Sequence, residues 1–567
     1  HYTADNANPT TTGVALADFI LGDVEKWSAT NQTTSYNRLK SPQFFVQDDF
    51  KARSNLTLNL GLRYVGTTGY HEINNALGGF DPNLTLNCTV DKFGNPCGSL
   101  NGKPGGIWFA SDGKGRDSLQ KPIWDIFLPR VGFAWQVMNN TVVRGGFGMY
   151  SYNFSQDTYG NGIGFGSLGT STGNASDVNS GTGPSPLVSL SATAAAAAPA
   201  LNYVVGTTGF GKNVATYLNP GNPTNSVPYM PYNTDPGRIN EWQLSIERQF
   251  AQSYVAQIAY VGSHAMNLQY PTDLNQITSA TGLADSIANK GFVQADRPFP
   301  AFGNLSGNLY QAISNYNAMQ LQLTKRYATG LSFNVNYVWS HMQDEQDSSG
   351  WGNRGGTQVW QIGNNPGANY GNSNFDIRNA FKGYASYELP FGKGKTYLNN
   401  SNLVSEIAGG WRLAGTFITQ SGNPFTVTTS NNLNSTYTGC GNGCSWFPNV
   451  VGPTGVSDPG PSQWFNTAAF VPAASGGQFA FGNERRNSLI GPRLSVVNLS
   501  IAKAFTVTER VRMEFRSDWV NALNHPSLNR PGNSLGGANF GQINNATQGN
   551  GVAVAPRSGQ LSLKVTF

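Results

Sequence analysis

The sequence predicts an all-β fold, an antiparallel transmembrane β-barrel with long loops on one side. Three observations predict it. Hydrophobic residues recur at every second position, the segments that do so are long, and the connections between them sort into short and long. A period of two is the strand signature, because successive side chains point to opposite faces. The segments run about 9–12 residues, beyond the usual 5–6 of globular strands and matching the 9–11 that cross a bilayer at a tilt.

Composition agrees. Of 567 residues, 12% are charged and 12% aromatic, with 68 glycines. Ordinary soluble domains carry about 25% charged residues. Mean hydropathy is nevertheless −0.33, because the balance is made up by Gly, Asn, Ser and Thr, the residues of turns and polar loops. The net charge of +5 is spread with no Lys/Arg block, so no basic stripe for a nucleic-acid partner is present. No apolar run reaches the roughly 18 residues of a membrane helix. The blandest stretch, "SATAAAAAPALNYVV" at 191–205, is broken by Pro199 and Asn202 and reads as low-complexity loop.

In chain order, about fourteen strands are expected, near 24–35, 42–51, 54–65, 128–138, 141–152, 239–250, 253–264, 316–327, 330–341, 378–389, 411–420, 494–505, 509–521 and 559–567. The third sends Leu56, Leu58, Leu60, Leu62 and Tyr64 one way, and Asn55, Thr57, Asn59, Gly61 and Arg63 the other. The ninth opposes Leu331, Phe333, Val335, Tyr337 and Trp339 to Ser332, Asn334, Asn336 and Val338. The thirteenth, "RVRMEFRSDW", sets Arg510, Arg512, Glu514, Arg516 and Asp518 against Val511, Met513, Phe515, Ser517 and Trp519. The last opposes Leu561, Leu563, Val565 and Phe567 to Gln560, Ser562, Lys564 and Thr566. Several others alternate weakly, the stretch from Val255 to Val261 among them.

Short connections stand at 51–53, 139–140, 251–253, 328–330 and 506–509. Long ones cover roughly 66–127, 153–238, 265–315, 342–377, 421–493 and 522–558. A soluble sandwich has no reason to sort loop length by side, whereas outer-membrane barrels do. The exception is 390–410, expected as a tight turn but about 20 residues long. The whole chain, 1–567, reads as one barrel portion.

If lipid wets the apolar face, a charge there costs about 2–4 kcal/mol near the midplane. Charges should therefore share the inward face. Arg63, Arg144, Glu241, Glu247, Arg510, Arg512, Glu514, Arg516 and Asp518 are the candidates for a mixed-charge lumen wall. They either pair across strands and hydrate the interior, or contact a plug or a passing solute. Lys503 breaks the rule, in parity with Val497, Leu499 and Ile501. It lies near a short turn, where a long side chain snorkels to water. Aromatic rings suit the membrane–water boundary. Tyr64, Tyr150, Tyr337, Trp339 and Trp519 are expected in the outer girdle, and Phe505 and Phe567 in the inner one.

Little else carries chemistry. The cysteines form two close pairs, Cys88/Cys97 and Cys440/Cys444, read as loop-local disulfides of an oxidising compartment. The histidines His1, His71, His264, His341 and His525 lack ligand spacing, so neither metal nor cofactor is expected. "GFGSLG" (164–169) matches a dinucleotide fingerprint but follows no strand and opens no helix. "HMQDEQD" (341–347), with Asp344, Glu345 and Asp347, reads as a solvated loop rather than a cation site. Asp48 and Asp49 point to opposite sides, which removes an acid–base pair. No enzyme motif stands, and none is expected.

Collinear stretches resemble the TonB-dependent outer-membrane receptors, in particular the Oar-like β-barrel group. They include "FFVQDDFKARSNLTLNLGLRY" (44–64), "LPRVGFAWQVMNNTVVRGGFGMY" (128–150), "INEWQLSIERQFAQSYVAQIAYVGSHAMNL" (239–268), "YNAMQLQLTKRYATGLSFNVNYVWSHMQD" (316–344) and "FDIRNAFKGYASYELPFGKGK" (375–395). Further carriers are "GWRLAGTFITQSGNPFTV" (410–427) and 486–531. The resemblance implies an outer-membrane barrel of about 22 strands around an N-terminal plug. It also implies lipid, the barrel-assembly machinery and an unidentified ligand as partners, with the TonB complex engaged only through the N-terminal region. The chain starts at His1 with no signal-peptide, TonB-box or plug pattern, so it is expected to be the C-terminal two-thirds of such a barrel. Terminal Phe567 is similar to the signal read by the assembly machinery. The leading expectation is energised uptake. The rivals are an adhesive surface barrel and, less favoured, a secreted all-β glycan binder using aromatic loops such as "SWFPNV" (445–450).

Overall fold

The computed structural model describes the chain outside 1–22, 25, 32–36, 74, 76, 87–97, 99–100, 111–114, 153–170, 177–187, 190–228, 348–359, 401–402, 442–443, 475–478, 507–510, 547, 550–551 and 554–555. Its main element is a 14-stranded sheet. Thirteen of the strands form an up-and-down meander, each bonded to its chain neighbours: β1 (Gln43–Arg53), β2 (Leu56–Thr67), β3 (Ile123–Met138), β4 (Thr141–Ser151), β5 (Arg238–Phe250), β6 (Tyr254–Asp273) and β7 (Ser306–Ala328). It continues through β8 (Leu331–Asp344), β9 (Asn379–Glu388), β10 (Trp411–Gln420), β11 (Leu494–Thr506), β12 (Arg512–Val520) and β13 (Ser558–Thr566). The fourteenth, Gly371–Asn372, pairs with the end of β8.

The strand expected at 24–35 is not part of this wall. Lys26–Asn31 pairs with Ser171–Ser176 in a separate two-stranded sheet. Six residues are too few to cross a bilayer. The opposite departure occurs in β6 and β7, which run 20 and 23 residues. Their outer halves leave the wall and bury Tyr270, Leu309 and Ala312 in a cluster of their own.

Directly paired residues share a face, so the register sorts the whole wall. One face carries Leu60, Val131, Phe147, Leu244, Ile258, Leu321, Phe381, Leu413, Leu499 and Leu561, all exposed. The other carries Asn59, Arg144, Gln243, Gln257, Gln322, Asn336, Lys382, Thr416, Ser500 and Arg516. Tight turns close one rim. At 329–330, Thr329 and Gly330 both have positive φ, 54° and 81°, which matches the right-handed strand twist in a two-residue hairpin.

At the opposite rim the described parts of the long connections pack into a cap. Phe80 meets Phe299 and Phe302 edge-on at 4.8 and 5.0 Å. Phe425, Phe465 and Phe470 form a second cluster. Helix α1 (Ala280–Ala288) begins at Ser279, whose hydroxyl accepts from the Gly282 amide at 3.2 Å. It packs through Leu283 and Ile287 on a cluster containing Tyr437, which lies on α3 (Leu433–Thr438). Among the described residues a further α-helix, α2 (Leu403–Ala408), belongs to the turn rim. No described helix is long and apolar enough to cross a membrane.

Candidate functional site

The polar face gathers the described charged candidates. Arg63, Arg144, Glu241, Glu247, Arg512, Glu514, Arg516 and Asp518 all fall on it by register; Arg510 lies outside the described residues. Many pair with neighbours. Arg144 meets Glu247 at 3.4 Å, Arg412 meets Glu514 at 3.6 Å and Arg516 meets Asp518 at 2.8 Å. Arg63 donates to Gln43 across the β1–β2 pair. The Asn59 amide donates to Asp49 at 2.7 Å, while Asp48 faces the other way beside Leu60. Exposed pairs of this kind contribute about 0–1 kcal/mol each, so they organise a hydrated surface more than they stabilise it.

A hollow of about 720 Å³ opens along β1 to β7, lined by residues that include Asn59, Arg130, Arg144, Glu241, Gln243 and Tyr316. Tyr150 belongs here. The register pairs it with Ile239, two positions from Gly148 and Glu241, so it stands on the polar face and not in an apolar girdle. The Arg130 guanidinium sits 4.5 Å from its ring centre. Gly148, directly opposite Arg130, has the Tyr150 hydroxyl 3.0 Å from where a Cβ would stand. A side chain at 148 would force that ring to move.

Of the other aromatic candidates, Tyr64, Tyr337, Trp339, Phe505 and Trp519 lie on the apolar face. Tyr64 stacks on Phe44 at 6.2 Å and meets Phe127 at 5.4 Å. Tyr337 donates to Asn379 at 2.7 Å. Trp339 is exposed in the cap-side half of β8 and Trp519 at the cap-side end of β12, with Phe505 near the turn side, and Phe567 stands 91% exposed just past β13. The sequence reading missed a turn-side group on the same face: Phe250 on Tyr254 at 5.4 Å, Tyr254 on Phe333 at 6.3 Å, and Trp411. Phe333 carries its parity in the sequence, whereas Phe250, Tyr254 and Trp411 are the last or first residues of their strands, where alternation gives little signal.

Inside the cap, buried polar groups tie distant loops together. Arg486 is 3% exposed; it contacts Asp344, bonds Asp347 at 2.6 Å and donates to the Asn369 carbonyl at 2.8 Å. The 341–347 stretch is therefore not a solvated loop, since Asp344, Glu345 and Asp347 are all buried. Burial pushes the Asp344 carboxyl up to about 6, with Arg486 opposing. Asp273 accepts from the amides of Asn275 and Leu305 at 3.0 Å and of Gly441 at 2.8 Å. Burial raises its pKa as well. Gln361 accepts from the amides of Phe447 and Gly482 at 3.1 and 3.0 Å. Trp446 and Phe447, which the glycan-binding alternative would use as an exposed stacking platform, are buried, with the Trp446 indole donating to the Ala480 carbonyl at 2.8 Å. Apolar rings in an Asn/Gly-rich loop are here the core of that loop. Cys440 and Cys444 form a disulfide beside Trp360; Cys88, Cys97 and the 164–169 motif lie outside the described residues. Among the described residues no cluster of His, Cys, Asp and Glu has the makings of a metal site.

Comparison with solved structures finds only distant likeness. The chain is similar to the P. aeruginosa receptor FpvA bound to a heterologous pyoverdine, at 8% identity and a TM-score of 0.39, over 94% of this chain and 39% of that one. It is similar to the unliganded ferric citrate transporter FecA at 9% identity and 0.37, over 94% and 45%. For the ferric yersiniabactin uptake receptor FyuA of Yersinia pestis the values are 9% and 0.35, over 95% and 46%. The chain thus spans less than half the length of these structures, and likeness of this degree carries no weight alone. No curated protein matches it. The family model of the outer membrane beta barrel domain, however, matches residues 1–560. With that match over nearly its whole length, the chain belongs to the outer membrane beta barrel family and resides in the outer membrane.

Proposed function

We propose that this barrel is the wall and outer cap of an energised uptake receptor of the TonB-dependent type, and that it performs no enzymatic reaction. The observation that carries the reading is the cap. Loops between β6 and β7, β8 and β9, and β10 and β11 are locked into one body by Arg486, Asp273 and Gln361. A rigid outer body presents a fixed surface to a solute, as recognition requires, whereas a plain pore needs only an opening. On this reading the polar face lines a hydrated lumen, with Arg63, Arg144, Glu241, Glu247, Arg512, Glu514, Arg516 and Asp518 in its wall. The apolar face meets lipid, Phe567 is read during assembly, and coupling to TonB is made by a region other than this wall. The sequence resemblance supports the same reading.

The test compares cells with and without the protein in conditioned growth medium, following every solute by mass spectrometry. At least one solute should be depleted only when the protein is present and the inner membrane is energised. Depletion that persists under a protonophore points to a passive pore. No depletion, with loss of surface attachment on deletion, favours the adhesive barrel.

A further inference from the structure

The turn-rim connection 389–410, the exception in length, holds α2 against the outside of the wall. Its position is set by Lys503, a cation on the apolar face. Lys503 pairs in register with Trp411 and Phe515 and shares its face with Leu499 and Ile501. It is 4% exposed. Its ammonium donates to the carbonyls of Glu406 at 2.8 Å, Ile407 at 2.6 Å and Gly409 at 2.9 Å. The Trp411 indole also donates to the Ile407 carbonyl, at 3.0 Å. Glu406 and Ile407 offer carbonyls a helix leaves unsatisfied at its C-terminal end, where its dipole favours a cation, and Gly409 follows just past it. The lysine is thus a tether rather than a snorkelling side chain, and a side chain on the apolar face brings α2 to the apolar side.

The helix then turns its apolar residues outward. Leu403, Val404 and Ile407 are 76, 57 and 62% exposed. They continue the band formed by Leu413, Ile501 and Phe505 on the neighbouring strands. Depth follows from the same face. Arg248 and Lys325 also stand on it, each within three residues of its own strand's turn-side end. Cations on a lipid-facing surface are tolerated at headgroup level, not in the acyl core.

We propose that α2 is an interfacial foot. Leu403, Val404 and Ile407 insert among the acyl chains of the inner leaflet, just below the phosphates, and Lys503 fastens the helix to the barrel. The occupant of this surface is phospholipid, because the patch is continuous with the lipid-facing band of an outer-membrane barrel.

The experiment uses the full chain folded in phosphatidylcholine vesicles with its disulfides oxidised. An environment-sensitive fluorophore is placed at Val404→Cys and, separately, at Val451→Cys in the cap. Quenchers are a lipid carrying a nitroxide near the acyl carbonyl, and iodide equilibrated on both sides. The Val404 probe should be quenched at least about twofold more by the nitroxide lipid than the Val451 probe, with the order reversed for iodide. Iodide quenching equal to that at Val451 overturns the proposal, and so does protection from both quenchers, which would place a protein on the patch. In Lys503→Met, iodide should quench the Val404 probe at least about twofold more than before. Unchanged quenching in a Lys503→Met barrel that still shows heat-modifiable migration overturns the tether. If that variant does not fold, the lipid assignment still stands or falls on Val404→Cys alone.

Discussion

Arg486 holds two carboxylates at and just past the end of β8, 142 and 139 residues away in sequence. Removing one partner of such a buried group leaves uncompensated charge, at a cost of about 3–5 kcal/mol. Arg486→Met should therefore loosen the cap by about that amount, read as faster protease cleavage in 341–378 while the barrel keeps its heat-modifiable migration. Cleavage at the wild-type rate would mean that the apolar clusters suffice. The same site gives a pH dependence of unusual sign. Burial raises Asp344 from 3.8 to about 6, with Arg486 and Asp347 beside it. The folded cap then holds this proton more tightly than the unfolded chain. Its stability should rise as pH falls from about 6 toward 4, by up to about 1.4 kcal/mol per unit. Asp344→Asn should flatten that slope in hydrogen exchange of the cap amides, corrected for the intrinsic rate. A wild-type cap that loosens on going to pH 5 would show that the ion pairs, not the burial of Asp344, dominate.

At the level of the strand, the alternation decides which solvent each side chain meets. Leu244 is exposed on the apolar face between Gly145 and Tyr260, and Gln243 stands on the polar face between Gly146 and Val261. Leu244→Arg should cost about 2–4 kcal/mol in urea unfolding from lipid vesicles, and Gln243→Arg close to nothing. Equal costs would mean that β5 does not present one face to lipid. This contrast was legible in the sequence because a two-residue period needs only neighbouring positions. The limits of β10 and the tight turn at 329–330 were legible for the same reason. The outer halves of β6 and β7 were not, since they pair as strands yet bury both sides in the cap, which erases the alternation. Nor was Lys503, whose partners lie about a hundred positions earlier in the chain. Tyr150 shows the remaining weakness: the rule that aromatics end strands at a boundary says nothing of face, and one residue of parity moved it beside Arg130. The acidic stretch 341–347 looked solvated because charge density is local information, whereas Arg486 is not.

The molecule as a whole poses a question of closure. Among the described strands, β1 and β13 each have one bonded partner, and the residues of both are exposed throughout. Thirteen antiparallel strands leave the first and last running in the same direction. Direct closure would join them parallel, in a wall where every other pairing is antiparallel. A second copy does not remedy this, because a copy inserted the same way up meets β13 with a β1 of the same direction. An all-antiparallel barrel, as outer-membrane barrels are, needs an odd number of further strands between these two edges. The roughly 22 strands implied by the resemblance would leave nine, which is odd. The two edges should therefore be apart in the assembled protein. Cysteines at Asp49→Cys and Asn59→Cys, on the paired strands β1 and β2, should cross-link readily under mild oxidation in the membrane. Asp49→Cys with Ser562→Cys on β13 should not. Cross-linking of the second pair at the rate of the first would place β1 against β13 and establish a barrel of thirteen strands with one parallel seam. Its lumen would then be too narrow for the mixed-charge wall to surround a plug.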